Sequence, residues 1–252
     1  MKHIWKAKSQ KRLAARHSTK LISRRENLID TVGEARTPDF FCIGAEKAGT
    51  TWLWNWMNHH TEIGVPASKE LRFFDQSDRW DTAHFRALSG ALSNAGYLEG
   101  KPAIQRQLVE QLRLYFGGTA AYLRIFGMMP EKVVGEISPQ YCALSSNSVQ
   151  QMSAIAPNAK ILYMLRDPTD RLISGAKMTI RQDQVELDDA NILRYATDPT
   201  QRSYSKAAKH IEKFEQAFGT NNVLVLFYDD IISCPNDLVS KVCKFLNVTT
   251  KK

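Results

Sequence analysis

Four short apolar runs punctuate the chain, at 40–43, 132–135, 161–165 and 223–227. They are rich in Val, Ile, Leu and Phe and do not alternate with polar positions. That is the pattern of strands buried on both faces of a parallel sheet. Between the runs, apolar positions recur at helical spacing: Trp52, Leu53, Trp56, Met57 and His60 over 51–60; Leu108, Leu112 and Phe116 over 105–116; Ala208, Ile211, Phe214 and Phe218 over 205–218. Strands alternating with helices predict crossover units. In such sheets ligands bind beyond the carboxyl ends of the strands, so the loops after each run are where chemistry is expected.

The first of these loops reads Phe40-Phe-Cys-Ile-Gly44-Ala-Glu-Lys47-Ala48-Gly49-Thr50-Thr51-Trp52. Glycine lets a backbone turn tightly and come close to a ligand. Thr50 and Thr51 stand where a helix begins, so free N–H groups and the positive end of the helix face the loop. This is anion-binding geometry. The two glycines have the Gly-x-x-x-x-Gly spacing of a nucleotide P-loop. The lysine that follows the second glycine in that loop is replaced here by Thr50, and the loop's lysine is Lys47. A lysine after the glycine, with Ser or Thr on Mg²⁺, suits a triphosphate. A lysine within the loop suits a smaller anion handled without metal.

Lys47-Ala48-Gly49-Thr50-Thr51-Trp52 resembles the 5′-phosphosulfate loop of sulfotransferases that use 3′-phosphoadenosine 5′-phosphosulfate (PAPS), in its cytosolic-type form. The resemblance implies that Lys47 touches the bridging oxygen and sulfate, and that Ala48, Gly49, Thr50 and Thr51 cradle the 5′-phosphate. It also implies that Trp52 stacks on adenine; packing against the core is the other reading of that residue.

Lys69-Glu70-Leu-Arg72-Phe73-Phe74-Asp75 follows the first helix. Sulfuryl transfer needs a group that takes the acceptor's proton. The segment resembles the Glu-x-x-Phe-Phe-Asp stretch of heparan-type and bacterial sulfotransferases, which implies that Glu70 is the general base and contacts the acceptor. The alternative is a surface charge paired with Lys69 or Arg72. Members of the steroid and phenol type use a histidine. His59 and His60 are the nearby ones, at a helix end where packing or capping is expected.

Val133-Val-Gly-Glu136-Ile137-Ser138-Pro139-Gln-Tyr141 resembles the segment lining the acceptor cleft. Glu136 is then expected to contact the acceptor or orient Lys47, or else to cap the strand end through a buried hydrogen bond. Heparan-type members carry lysine where this chain has Ile137, which argues against a polyanionic, heparan-like acceptor.

Leu165-Arg166-Asp167-Pro168-Thr-Asp170-Arg171-Leu-Ile-Ser174 has a proline suited to a first helical turn and an arginine able to fork onto phosphate oxygens. It resembles the family's 3′-phosphate site and implies that Arg166 and Ser174 bind that phosphate. Arg171 is expected to pair with Asp167 or Asp170. Tyr204 is expected near the cofactor. The run at 223–227 and the Tyr228-Asp229-Asp230 after it are expected to be framework.

The resemblance covers about residues 38–248, with its motifs in order. It implies an α/β fold, a P-loop-NTPase-like three-layer sandwich with a central parallel sheet. It also implies metal-free in-line transfer from PAPS to an acceptor hydroxyl or amine, on a carbohydrate or small molecule. A P-loop kinase or NTPase is the alternative class, as is a nucleotide-binding relative of weak activity. Many family members continue past this point with a basic loop over the 3′-phosphate and adenine. The sequence given stops at Lys252, so a more open cofactor site is expected.

Charge adds an N-terminal feature. Residues 1–36 hold ten Lys or Arg against three acidic residues, so this stretch carries +7 of the net +8. We expect 1–36 to be a flexible basic arm and 37–252 the sulfotransferase domain. Such an arm is either a solvated tail or a contact for polyanions, without sequence-specific nucleic-acid recognition. No apolar run approaches the ~20 residues that span a bilayer, and the basic N-terminus lacks a signal-peptide core. The four cysteines show no metal spacing and are expected to be buried thiols of a cytoplasmic protein.

Overall fold

The computed structural model describes residues 34–66, 69–75 and 118–250. Nearly all of the basic arm, the helix expected over 105–116, and 76–117 of the stretch 76–131, where much of the acceptor site is expected, lie outside these residues.

The elements in chain order are β1 (Phe40–Gly44), α1 (Thr50–Met57), β2 (Ile63–Gly64), α2 (described over 118–127), β3 (Val133–Ile137), a 3₁₀ turn (Pro139–Ala143), α3 (Ser146–Ile155) and β4 (Lys160–Leu165). They continue with α4 (Pro168–Asp183), α5 (Asp189–Ala196), α6 (Pro199–Ser203), α7 (Ala207–Phe218), β5 (Val223–Phe227), α8 (Tyr228–Ser233) and α9 (Pro235–Leu246). The four apolar runs are β1, β3, β4 and β5. The fifth strand, β2, has two residues, too few to leave a run in the sequence.

The sheet order is β2-β3-β1-β4-β5 and every pairing is parallel. Each residue of β1 and β3 is buried, as strands covered on both faces must be. Right-handed crossovers put α1 on one face and the connections through α2, α3 and α7 on the other. Contacts agree: Lys213 of α7 donates to the carbonyls of Cys142 and Leu144 just before α3. On the opposite side His60, just past α1, bonds the Thr249 carbonyl beyond α9 at 2.9 Å. The body is thus the expected three-layer α/β sandwich. Arg36 ties its start down, donating to the carbonyls of Glu131 and Lys132 (both 2.8 Å).

The order also places the site. The chain leaves β1 toward the β2 edge and leaves β4 toward the β5 edge. Their carboxyl ends therefore flank a topological switch point, where open α/β sheets form a crevice.

Cys42, Cys142 and Cys243 are buried free thiols, while Cys234 is only half-buried. Burial pushes the Cys42 and Cys142 thiols up to about 12. Among the described residues no helix is long and apolar enough to cross a membrane.

Candidate active site

Beyond the switch point lies a cleft of about 310 Å³. Its walls include Glu46, Lys47, Gly49, Thr50, Thr51, Lys69, Glu70, Pro139, Arg166, Ser174, Met178 and Tyr228. Seven of the residues singled out by sequence are among them: Lys47, Gly49, Thr50, Thr51, Glu70, Arg166 and Ser174. They arrive from four places: the loop after β1, the segment after β2, the end of β4 and the second turn of α4.

The loop is built for close approach. Gly49 holds φ +89°, and a Cβ there would lie 2.4 Å from Ile231 Cδ1. It caps α1 with no side-chain hydrogen bond, and no acidic residue sits in the first turn. The helix's positive end is therefore left to a ligand anion. Lys47 sits at φ 65°. Among the described residues, its ammonium has one hydrogen-bond contact, Met178 Sδ at 3.6 Å, and no carboxylate within ion-pair distance. The carbonyl of Lys47 accepts from Arg166 Nη1 at 3.3 Å, joining the ends of β1 and β4.

Arg166 lies over the Tyr228 ring, 4.4 Å from its centroid. Its Nη2 is 3.8 Å from Asp170, and its buried Nε has no partner among the described residues. A buried guanidinium N–H without an acceptor is a standing cost that a ligand oxygen would relieve. Arg166, Ser174 and the loop thus offer donors for two anionic groups, and the residues present fit a nucleotide carrying phosphate at both ends.

Glu70 sits at φ 69°. Its Oε1 accepts from Lys69 (2.6 Å) and its Oε2 from Gln140 (3.2 Å). Arg72 pairs with Asp75 instead. The following aromatics anchor the segment. Phe73 stacks on Tyr122 at 4.2 Å, and Phe74 is buried edge-on to Phe41, Tyr122 and Tyr141. Glu46 escaped the sequence reading. Burial and then the Glu70 charge push its carboxyl up, against Arg171, Lys47 and Arg72.

Several singled-out residues lie outside this cleft. Glu136 is not in the cleft: it is 1% exposed and accepts from the hydroxyls of Tyr122 (2.7 Å), Ser138 (2.8 Å) and Tyr141 (3.0 Å). Burial pushes it up to about 7, against those hydroxyls and the Leu71 amide. Tyr204 lines an adjoining cavity of about 320 Å³ that shares Arg166 with the cleft and includes Leu165, Arg171 and Phe227; Tyr228, taken as framework, is the tyrosine in the cleft itself. Arg171 pairs with neither aspartate. It is buried and donates to Ser205 Oγ (2.7 Å) and the Gln201 carbonyl (2.5 Å), while Asp167 caps α4. Trp52 is half-buried against the core, the other reading given for it, and the Ala48 side chain is fully buried. His59 bonds the Asn55 carbonyl of α1, while His60 bonds the Thr249 carbonyl and the Glu62 amide and lies 3.9 Å from Cys243 Sγ.

A parallel sheet with a phosphate-type loop after its central strand and an arginine at the next strand's end defines an α/β fold of the P-loop-like type. The comparisons narrow this. The sulfotransferase family model matches residues 38–252, so the chain belongs to the sulfotransferase family. It is 26% identical over 237 residues to the mouse (Mus musculus) bifunctional heparan sulfate N-deacetylase/N-sulfotransferase 1, covering 85% of this chain and 22% of that protein. It is 29% identical over 101 residues to the 3-alpha-hydroxysteroid sulfotransferase of Cavia porcellus, covering 39% of this chain and 35% of that enzyme. The chain thus spans about a third or less of the length of these curated relatives. Among solved structures, a sulfotransferase from Alicyclobacillus acidocaldarius superposes with a TM-score of 0.61 at 28% identity, over 85% of this chain and 83% of that one.

Proposed function

We propose that the chain transfers a sulfuryl group from PAPS to an acceptor hydroxyl or amine, without a metal ion. The observation that carries the reading is the meeting of Lys47, Glu70 and Arg166, from three separate segments, in one cleft of about 310 Å³. PAPS, when bound, supplies an activated sulfuryl group on a phosphate leaving group.

In this reading Arg166 and Ser174 hold the 3′-phosphate, and the Tyr228 ring keeps the guanidinium in place. The first amides of α1, with Thr50 and Thr51, hold the 5′-phosphate. Lys47 neutralises negative charge developing on the departing oxygen. Glu70 takes the acceptor's proton, its two oxygens oriented by Lys69 and Gln140. Most of the rate would come from positioning and preorganised charge. The burial of Ile137, where heparan-type members have lysine, supports an acceptor that is a small molecule or uncharged carbohydrate.

The test is transfer of ³⁵S from labelled PAPS to a panel of phenols, amines and sugars. The reading expects at least one product, lost in Lys47→Ala. Metal-dependent ATP turnover with no sulfate transfer would support a kinase or NTPase instead.

A further inference from the structure

The segment 69–75 has no helix or strand of its own, yet it carries Glu70. Two of its residues, Glu70 (φ 69°) and Arg72 (φ 55°), hold left-handed backbone that such side chains seldom adopt. That conformation lasts only where the surroundings over-determine it. The segment's amides reveal what does so. Glu70 N donates to the Ile137 carbonyl at 3.1 Å. Arg72 N donates to Ser138 Oγ at 3.1 Å, and Phe74 N to the Tyr141 hydroxyl at 3.3 Å. The Leu71 amide faces the Glu136 carboxylate.

The two accepting hydroxyls share a feature. Ser138 and Tyr141 each donate their own hydrogen to Glu136, at 2.8 and 3.0 Å. A hydroxyl has one hydrogen and two lone pairs. Giving the hydrogen to Glu136 leaves the lone pairs for a backbone N–H. Tyr122 adds a third hydroxyl at 2.7 Å, tying in the helix on which Phe73 stacks. In its ionised form a carboxylate accepts only, so it then sets the direction of every hydroxyl around it. Three of the four amide bonds therefore depend on Glu136. We infer that Glu136 is a positioning residue for Glu70, acting through the Ser138 and Tyr141 hydroxyls and contacting neither acceptor nor Lys47. Its catalytic consequence rests on the proposed role of Glu70; its structural consequence does not.

Glu136→Gln keeps the shape but replaces one accepting oxygen by a donating NH₂, so at least one of the present donors, a hydroxyl or the Leu71 amide, loses its acceptor and the support of the segment is weakened. Hydrogen-exchange mass spectrometry on the full chain reads this directly. In Glu136→Gln the peptide covering 69–75 should exchange at least tenfold faster, with β1 and β4 within twofold of wild type. Affinity for 3′,5′-ADP should stay within threefold, because Lys47 and Arg166 hang on other elements. With ³⁵S-labelled PAPS and p-nitrophenol, kcat should fall about tenfold with the KM for PAPS unchanged, and Glu136→Gln should add no further loss in a Glu70→Gln background. Should Glu136→Gln fail to fold, Ser138→Ala removes the acceptor of Arg72 N alone and should speed exchange over the same peptide. Unchanged protection of 69–75 in a folded variant overturns the inference. Lost protection in the variant, beside a wild type that transfers sulfate to no acceptor, keeps the positioning role and removes the catalytic one.

Discussion

Arg166→Ala gives the sharpest test of how the cleft discriminates nucleotides. The side chain is 21% exposed, and its present ties are weak: 3.3 Å to the Lys47 carbonyl and 3.8 Å to Asp170, itself largely exposed. Its Nε has no partner among the described residues. A 3′-phosphate would therefore gain a fork of charge-assisted hydrogen bonds while little is given up. Each such bond is worth about 1.5–3 kcal/mol. Allowing for the lost hydration of the phosphate, we take about 3 kcal/mol for the pair, or roughly a hundredfold in Kd. Calorimetry with 3′,5′-ADP and with 5′-AMP, at about 0.15 M salt to damp long-range charge effects, isolates this contact. The Kd for 3′,5′-ADP should rise about a hundredfold and that for 5′-AMP less than about threefold. Arg166→Lys keeps the charge and loses the fork, so it should fall between. An equal loss for both nucleotides, or no loss for either, refutes the reasoning.

Other consequences follow from the same geometry. Lys47→Ala and Glu70→Gln should each cut ³⁵S transfer by about a hundredfold or more, while 3′,5′-ADP still binds within a few-fold by calorimetry. Gly49→Ala should lower stability by about 1–3 kcal/mol in thermal melts, because φ is +89° and the new Cβ would sit 2.4 Å from Ile231. His210 is buried and bonded through Nδ1 to the Tyr163 hydroxyl at 2.8 Å; burial, then the Lys213 and Lys206 charges, push it down to about 4. Its folded value lies below the unfolded one of about 6.5. The unfolded chain therefore takes the proton first, and stability present above pH ~6.5 is lost as pH falls through about 4. Urea midpoints over that window should decline less steeply in His210→Gln than in wild type.

Much of the fold was legible because its signals are local. An apolar run that does not alternate must be covered on both faces, and each such run is a strand of the sheet. The phosphate loop was legible for the same reason: Gly44, Lys47, Gly49 and Thr50 are near neighbours in the chain. What stayed hidden depends on long-range packing. The two-residue strand β2 leaves no periodicity. By sequence Tyr228 is expected to be framework, and its place in the cleft wall under Arg166 depends on packing that spacing does not reveal. Arg171 sits four residues after Asp167 and beside Asp170, which suggests a helix-surface pair. In the fold it turns inward, to Ser205 and the Gln201 carbonyl. Glu136 looked like a cleft carboxylate because it ends a strand; Tyr122, 14 residues earlier, and the Tyr141 hydroxyl enclose it.

In the proposed function one cleft grips both ends of an adenosine bisphosphate. A crystal structure of the chain with 3′,5′-ADP tests it most directly. The account predicts the 3′-phosphate within hydrogen-bond reach of Arg166 and Ser174, and the 5′-phosphate on the Gly49–Thr51 amides beside Lys47. A nucleotide seated elsewhere, or with its 5′ end remote from Lys47, contradicts it.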